Sequence, residues 1–240
     1  MFYFSVYEVC KKAVLWREVE HFKGGSGDGD TTDLVVFGDG SMPMVEFAMK
    51  DLGDLNFFLG IEARQASSSL FLSQTHYTAT LLQRFDMLGT NSISTPITFT
   101  PQPSLHHGGL LPDSTVYRNM VGALQYLTMA RPDIAYSVSL VSQLMHSSST
   151  SHLQVVKRIF CYLKGIVRHG VLLLPISNLS LSACTDADWA ACPDSHRSTS
   201  GYALLLGSNV VSWSAKKHPT MSHVSAESEY RFVAYAVAES

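Results

Sequence analysis

The chain has 240 residues, 17 basic and 20 acidic side chains, a net charge of -3 and 46% apolar residues. That apolar share excludes a disordered chain, and the length holds one large domain or two modest ones around a sizeable core. Charged residues make up only 15%, below the roughly 25% of an average soluble domain, and the near-neutral sum does not suggest a nucleic-acid binder.

The sum hides an asymmetry. Residues 1–60 carry ten acids against five bases, and residues 61–240 ten acids against twelve bases. Met1-Phe-Tyr-Phe4 opens without a basic run and Glu8 interrupts the apolar stretch, so no secretory leader is expected. Clean apolar runs such as Leu34–Phe37 and Val171–Leu174 fall far short of the roughly 18 residues of a membrane span. Cys10, Cys161, Cys184 and Cys192 form no C-x-x-C pair. Reduced thiols in an intracellular protein are therefore expected, rather than a zinc site or disulfide framework. Gly24–Asp33 is turn-rich and acidic, and Asp28, Asp30 and Asp33 invite a calcium-loop reading. Asp33 stands where an EF-hand needs glycine, however, and Thr32 replaces a ligand, so a solvated loop is expected. Residues 1–44 are read as a divergent, flexible N-terminal segment.

From Met49 the texture changes. Leu55–Ile61 reads as a buried strand or strand pair and Leu70–Ser73 as another short strand. Apolar positions 77, 81, 82 and 85 have helical spacing. Thr95–Pro112 holds four prolines and the pair His106-His107, and reads as a long loop. Ser114 is expected to cap a helix burying Tyr117, Met120, Val121, Leu124 and Leu127. Pro132 suits the first turn of the next helix, which carries Ile134, Val138, Val141 and Leu144. A third helix is expected from about Ser151 to Arg168, apolar at Leu153, Val156, Phe160, Leu163 and Val167. Lys157, Lys164 and Arg168 line its other side. After Pro175 the pattern turns to strands: Leu179–Ala183 alternates, and Tyr202–Leu206 and Val210–Trp213 flank a Gly207-Ser208-Asn209 turn. Ser225 then caps a last helix.

The carboxylates of the last sixty residues carry the most chemistry. Asp186 and Asp188 fall at the end of a strand, and Glu227 and Glu229 in the first turns of the following helix. About 200° of rotation separates the two glutamates, so they face differently. Glu229 shares a face with Phe232, Val233 and Ala236, whereas Glu227 points to solvent and complements the helix dipole. An acid on a packed face beside a strand-end aspartate needs a positive partner, and Mg²⁺ with hard oxygen ligands is one. The plainer reading is that the aspartates end a strand and the glutamates are ordinary first-turn acids.

At this point the residues resemble a known family. Asp186–Glu239 resembles the ribonuclease H segment of Ty1/copia-type retrotransposon Pol polyproteins, including the short Pol-derived reading frames of plant genomes. Met49–Gly53, Phe58–Ile61, Leu72–Gln74, Tyr117-Arg118, Val121–Leu127, Arg131–Ile134 and Tyr162–Gly165 are similar, in the same order, to the family's stretch downstream of the polymerase site. The resemblance implies an α+β fold. Residues 45–175 would be the C-terminal part of reverse transcriptase, with a strand pair and thumb/connection helices. Residues 176–240 would be a truncated ribonuclease H-like sheet and helix. It further implies that Asp186 and Glu229 are metal-binding acids for Mg²⁺, acting on an RNA–DNA hybrid, and that Lys157, Lys164 and Arg168 track its backbone. The other Pol subdomains would be partners.

The departures shape the functional expectation. The family's polymerase site reads Tyr-x-Asp-Asp, and no such tetrad occurs; Leu34-Val-Val-Phe-Gly-Asp39 is followed by Gly40 where the second aspartate would stand. The family's third ribonuclease H acid would fall beyond Ser240, and His196 replaces an arginine usual before Arg197–Gly201. The expectation is a Pol-derived fragment without polymerase or ribonuclease H activity of its own. The alternative is a non-enzymatic module that binds nucleic acid or protein.

Overall fold

The computed structural model describes residues 56–66, 68–98, 103–105 and 108–238. The N-terminal segment, the acidic stretch at 24–33, Leu34–Gly40, Met49–Gly53 and His106-His107 lie outside the described residues. The architecture is α+β: two antiparallel sheets flank a helical layer.

Strands β1 (Phe57–Phe58), β2 (Ile61–Ala66) and β3 (Ser69–Ser73) form a meander. The β1–β2 turn is the two residues Leu59 and Gly60, both at positive φ (47° and 73°). That geometry matches the strand twist, and a two-residue hairpin of this kind requires it. Gly60 is further constrained because an added Cβ would lie 2.6 Å from the Tyr126 hydroxyl. On the other side of β3 lies β4 (Gly170–Leu173), with Leu72 opposite Val171. Ile61, Ala63, Leu72, Val171 and Leu173 bury a small core between sheet and helices.

The helical layer contains α1 (Thr75–Arg84), α2 (Thr115–Leu127), α3 (Ala135–Gln143) and α4 (Thr150–Gly165). A short 3₁₀ turn at Pro132–Ile134 leads into α3. Leu124, Leu127, Ile134, Val141, Val156, Ile159, Phe160 and Leu163 are fully buried in one cluster. Each such side chain contributes about 2 kcal/mol of transfer free energy, which fixes the helices against one another. Ser114 occupies the cap position of α2 but its side chain makes no cap bond. Asp113 Oδ1 accepts the Thr115 N–H at 2.8 Å instead. At α4, Ser149 and His152 exchange side-chain and backbone bonds in a capping box.

Two expectations are corrected here. The third long helix ends at Gly165, so Arg168 lies beyond it, and strand structure begins at Gly170 rather than after Pro175. The cause is the sheet. The chain turns at Ile166–His169, with His169 N–H on the Ile166 carbonyl at 3.0 Å, to deliver Val171 beside Leu72.

The second sheet runs β5 (Leu181–Asp188), β6 (Thr199–Leu206) and β7 (Asn209–Lys217) in that order, all antiparallel. Gly207, at φ 59°, and Ser208 make the tight turn between β6 and β7. Helix α5 (Ser225–Ala238) covers one face, burying Ser228, Phe232 and Ala236 against Tyr202, Leu204 and Val211. Val233, expected on that face, is 44% exposed, and Tyr235 packs there instead. The contact line runs along the 228/232/236 ridge, so Tyr235 falls on its inner flank and Val233 on its outer one. β5 is an edge strand of this sheet. The second sheet is pinned to the rest: Asn209 exchanges two hydrogen bonds with the Leu174 backbone just past β4, and Trp213 Nε1 donates to the Thr128 carbonyl at the end of α2 at 2.8 Å.

Candidate functional site

The carboxylates of the second sheet are placed by strand register. Tyr202 and Leu204 pack on α5, and their directly opposed partners on β5 are Thr185 and Ala183. Opposed residues share a face and alternate residues do not. Asp186 and Asp188 therefore project to the face away from α5, toward the helical layer. Tyr136 of α3 reaches Asp188 from that layer, its hydroxyl donating to Oδ2 at 3.3 Å. Burial first, and the Asp188 charge second, push the Tyr136 phenol up to about 12.

Glu229 comes from the other face. Its half-buried side chain turns to β5, where Oε1 accepts the Ala187 N–H at 3.3 Å. Its carboxylate thus sits at the backbone between Asp186 and Asp188. Glu227 is engaged elsewhere, accepting the His223 N–H at 2.7 Å and pairing with Arg231 at 2.6 Å. The His223 N–H, with Arg231, holds its carboxyl below the ordinary value. The inequivalence of the two glutamates follows from their rotation about the helix axis, which the sequence already contains.

The three cations expected on the third long helix are not equivalent. Lys157 and Arg168 are exposed. Lys164 is half-buried and donates to the carbonyls of Leu88, at 2.6 Å, and Thr90. That ammonium is committed to tying the loop after α1 onto α4. The contact between Tyr136 and Asp188 spans 52 positions of sequence, and no local pattern signals it.

Residues 34–99 match the family model described as reverse transcriptase (RNA-dependent DNA polymerase). An uncharacterized mitochondrial protein of Arabidopsis thaliana is 44% identical over 193 residues, 80% of each chain. The retrovirus-related Pol polyproteins from transposons RE2 and RE1 of Arabidopsis thaliana are each 45% identical over 193 residues, 80% of this chain. The chain belongs to the copia-type retrotransposon Pol family. It is a Pol-derived fragment, spanning 13% of the length of the RE1 and RE2 polyproteins. No solved structure matches it. The match to the reverse transcriptase model begins at Leu34 and so takes in Leu34–Gly40, where Gly40 follows the single Asp39.

The reverse transcriptase family uses a divalent metal, and the donors at hand are hard carboxylate oxygens of the right chemistry. Their arrangement does not fit a held ion. Among the described residues, no three His, Cys, Asp or Glu side chains come together as a metal-binding group. Glu229 spends one oxygen on the Ala187 N–H, and Asp186 projects to the opposite face of the sheet. Among the described residues no helix is long and apolar enough to cross a membrane.

Proposed function

We propose that this Pol fragment runs from the end of the reverse transcriptase region into ribonuclease H, and that it cleaves no RNA–DNA hybrid by itself. The β1–β4 sheet and α1–α4 correspond in this reading to the palm edge and thumb/connection helices. The β5–β7 sheet with α5 corresponds to the first part of a ribonuclease H-like domain. The observation that carries the reading is the Glu229–Ala187 contact. It brings the helix acid back to the strand that bears Asp186, the pairing that the family resemblance assigns to metal binding, yet it uses a carboxylate oxygen a metal would need. Two-metal hydrolysis requires a site that clamps both the attacking and the leaving oxygen. Asp186 and Glu229 alone do not build one.

In the complete polyprotein, a metal site would need further ligands from the rest of Pol and both acids brought to one face of β5. The exposed cations Lys157 and Arg168 would face nucleic-acid phosphate, giving salt-dependent contact without sequence preference. Lys164 would contribute through the loop it anchors rather than through its charge.

The test is a cleavage assay on a labelled RNA–DNA hybrid with purified full-length chain and excess Mg²⁺. The expected result is no cleavage above the protein-free control. Cleavage that Asp186→Asn abolishes would overturn the proposal.

A further inference from the structure

The loop between β5 and β6 folds back on itself around Cys192. Its N–H donates to the Arg197 carbonyl at 3.3 Å, and the His196 N–H donates to the Cys192 carbonyl at 2.8 Å. Ala190 and His196 adopt left-handed φ values of 55° and 49° to close it. The Asp194 carboxylate then fixes the loop to the segment before α2 by accepting from Ser104 Oγ and, at 2.8 Å, from the Leu105 N–H. This folding presents Cys192 Sγ to Lys217 at the end of β7, with Nζ 2.8 Å from the sulfur.

The pair faces a small void. Cys192 and Lys217, with Tyr136, Leu140, Thr199 and Pro103, line a cavity of about 40 Å³. A space of that size admits a reagent of two heavy atoms, whereas a tripeptide thiol is far too large. Burial pushes the Cys192 thiol up. Hydrogen bonds from Lys217, Ser195 and the backbone of Asp194 and Ser195 outweigh it, so the net displacement is downward. A thiolate beside a cation is the nucleophilic form of cysteine. The chain supplies its own reference, because Cys184 on β5 is exposed whereas Cys192 is half-buried. Exposure alone would make Cys184 the more reactive.

We propose that Cys192 and Lys217 form an oxidant-sensitive site that takes hydrogen peroxide into this cavity, where Cys192 is oxidised to a sulfenic acid. The Cys192 thiolate attacks the terminal peroxide oxygen, forming an S–O bond as the O–O bond breaks. The sulfur gives two electrons to the peroxide. The departing hydroxide takes a proton from the Lys217 ammonium and leaves as water, and the amine regains a proton from solvent. The product is the first, reversible step of cysteine oxidation. The proposed step uses neither the Asp186 nor the Glu229 carboxylate, and Tyr136 links the cavity lining to Asp188.

The experiment oxidises the reduced full-length chain with hydrogen peroxide for timed intervals, removes the peroxide with catalase, and traps sulfenic acid with dimedone under denaturing conditions. Peptide mass spectrometry then reads each cysteine. Cys192 is expected to gain label at least ten-fold faster than Cys184. Lys217→Met brings Cys192 down to the Cys184 rate, and Lys216→Met leaves it unchanged. Equal or faster labelling of Cys184, or an unchanged Cys192 rate in Lys217→Met, overturns the proposal. The wild-type chain gives a second reading that needs no variant. Cys192 labelling should reach half its maximum at a lower pH than Cys184 labelling, and superimposable pH profiles would equally refute it.

Discussion

Arg131 grips both carboxylate oxygens of Asp133, Nε on Oδ1 at 2.9 Å and a terminal nitrogen on Oδ2 at 2.7 Å, while the arginine is only 1% exposed. The remaining terminal nitrogen donates to the Ile166 carbonyl at the end of α4, and Tyr162 donates to Asp133 at 3.0 Å. Arg131-Pro132-Asp133 is therefore a clasp that closes the α2–α3 junction onto α4. Removing one partner of a buried pair leaves an uncompensated charge, which costs more than the pair itself contributes. Asp133→Asn should destabilise the chain by about 3 kcal/mol, the low end of that range because the aspartate side chain is 32% exposed. Urea unfolding monitored by circular dichroism measures it. A loss below about 1 kcal/mol would contradict the clasp.

The same pair gives acid sensitivity with a definite sign. Burial raises the Asp133 carboxyl, but Arg131 and the Tyr162 hydroxyl pull it further down, so its folded value lies below that of an ordinary aspartate. A depressed folded value stabilises above the unfolded pKa and is lost as pH falls through the folded one. Asp113 and Glu227 are displaced in the same direction. Burial holds His218 below the ordinary histidine value, so the urea midpoint should ease downward from about pH 7 to pH 5 and decline further below about pH 4. The decline should be shallower in Asp133→Asn, and an equal slope in both proteins would remove Asp133 from the explanation.

Two glycine-to-alanine substitutions should have opposite effects. At Gly170 a Cβ would collide with the Leu72 carbonyl across the β3–β4 pair. Neither backbone can retreat without breaking the ladder, and Gly170→Ala should cost about 2 kcal/mol or more. Gly122 is an exposed α2 position with nothing near an added Cβ. Gly122→Ala should stabilise by about 0.5–1 kcal/mol, through helix propensity and a less flexible unfolded chain. Thermal melts of the two variants side by side decide both signs.

Trp213 couples the second sheet to the helical layer through its indole N–H on the Thr128 carbonyl. Trp213→Phe keeps most of the apolar contact and removes that donor, so about 1–2 kcal/mol should be lost. Hydrogen exchange should speed up at β7 and at the C-terminal end of α2 together. Faster exchange confined to β7 would mean that the bond does not couple the two layers.

Much of the helical layer is legible in the sequence because one period governs it. Tyr117, Met120, Val121, Leu124 and Leu127 recur at helical spacing, and every one is buried. The distinction between Glu227 and Glu229 is legible for the same reason. What escapes depends on pairing across long separations. Val171 joins Leu72 in a ladder 99 positions away, and nothing in the composition of Gly170–Leu173 names that partner. Arg131 reads as an ordinary residue before a proline, since its burial depends on Asp133, Tyr162 and the end of α4 arriving together. The ridge of Lys157, Lys164 and Arg168 looks uniform as spacing. The loop at Leu88–Thr90 separates its members by occupying Lys164.

The placement of β5 has a consequence for handling this protein. Eight residues of strand lie at a sheet edge; Leu181 at its start and Leu179 just before it are 53% and 71% exposed. An exposed edge of that kind is a template on which a second copy can add, and charged side chains are what discourage it. Asp186 and Asp188 are the only charges on β5. The aspartate substitution that tests for cleavage therefore also strips a gatekeeper from the edge. Its solutions should cloud at lower protein concentration than wild type, so a soluble, monomer-sized fraction has to be isolated before any assay compares the two.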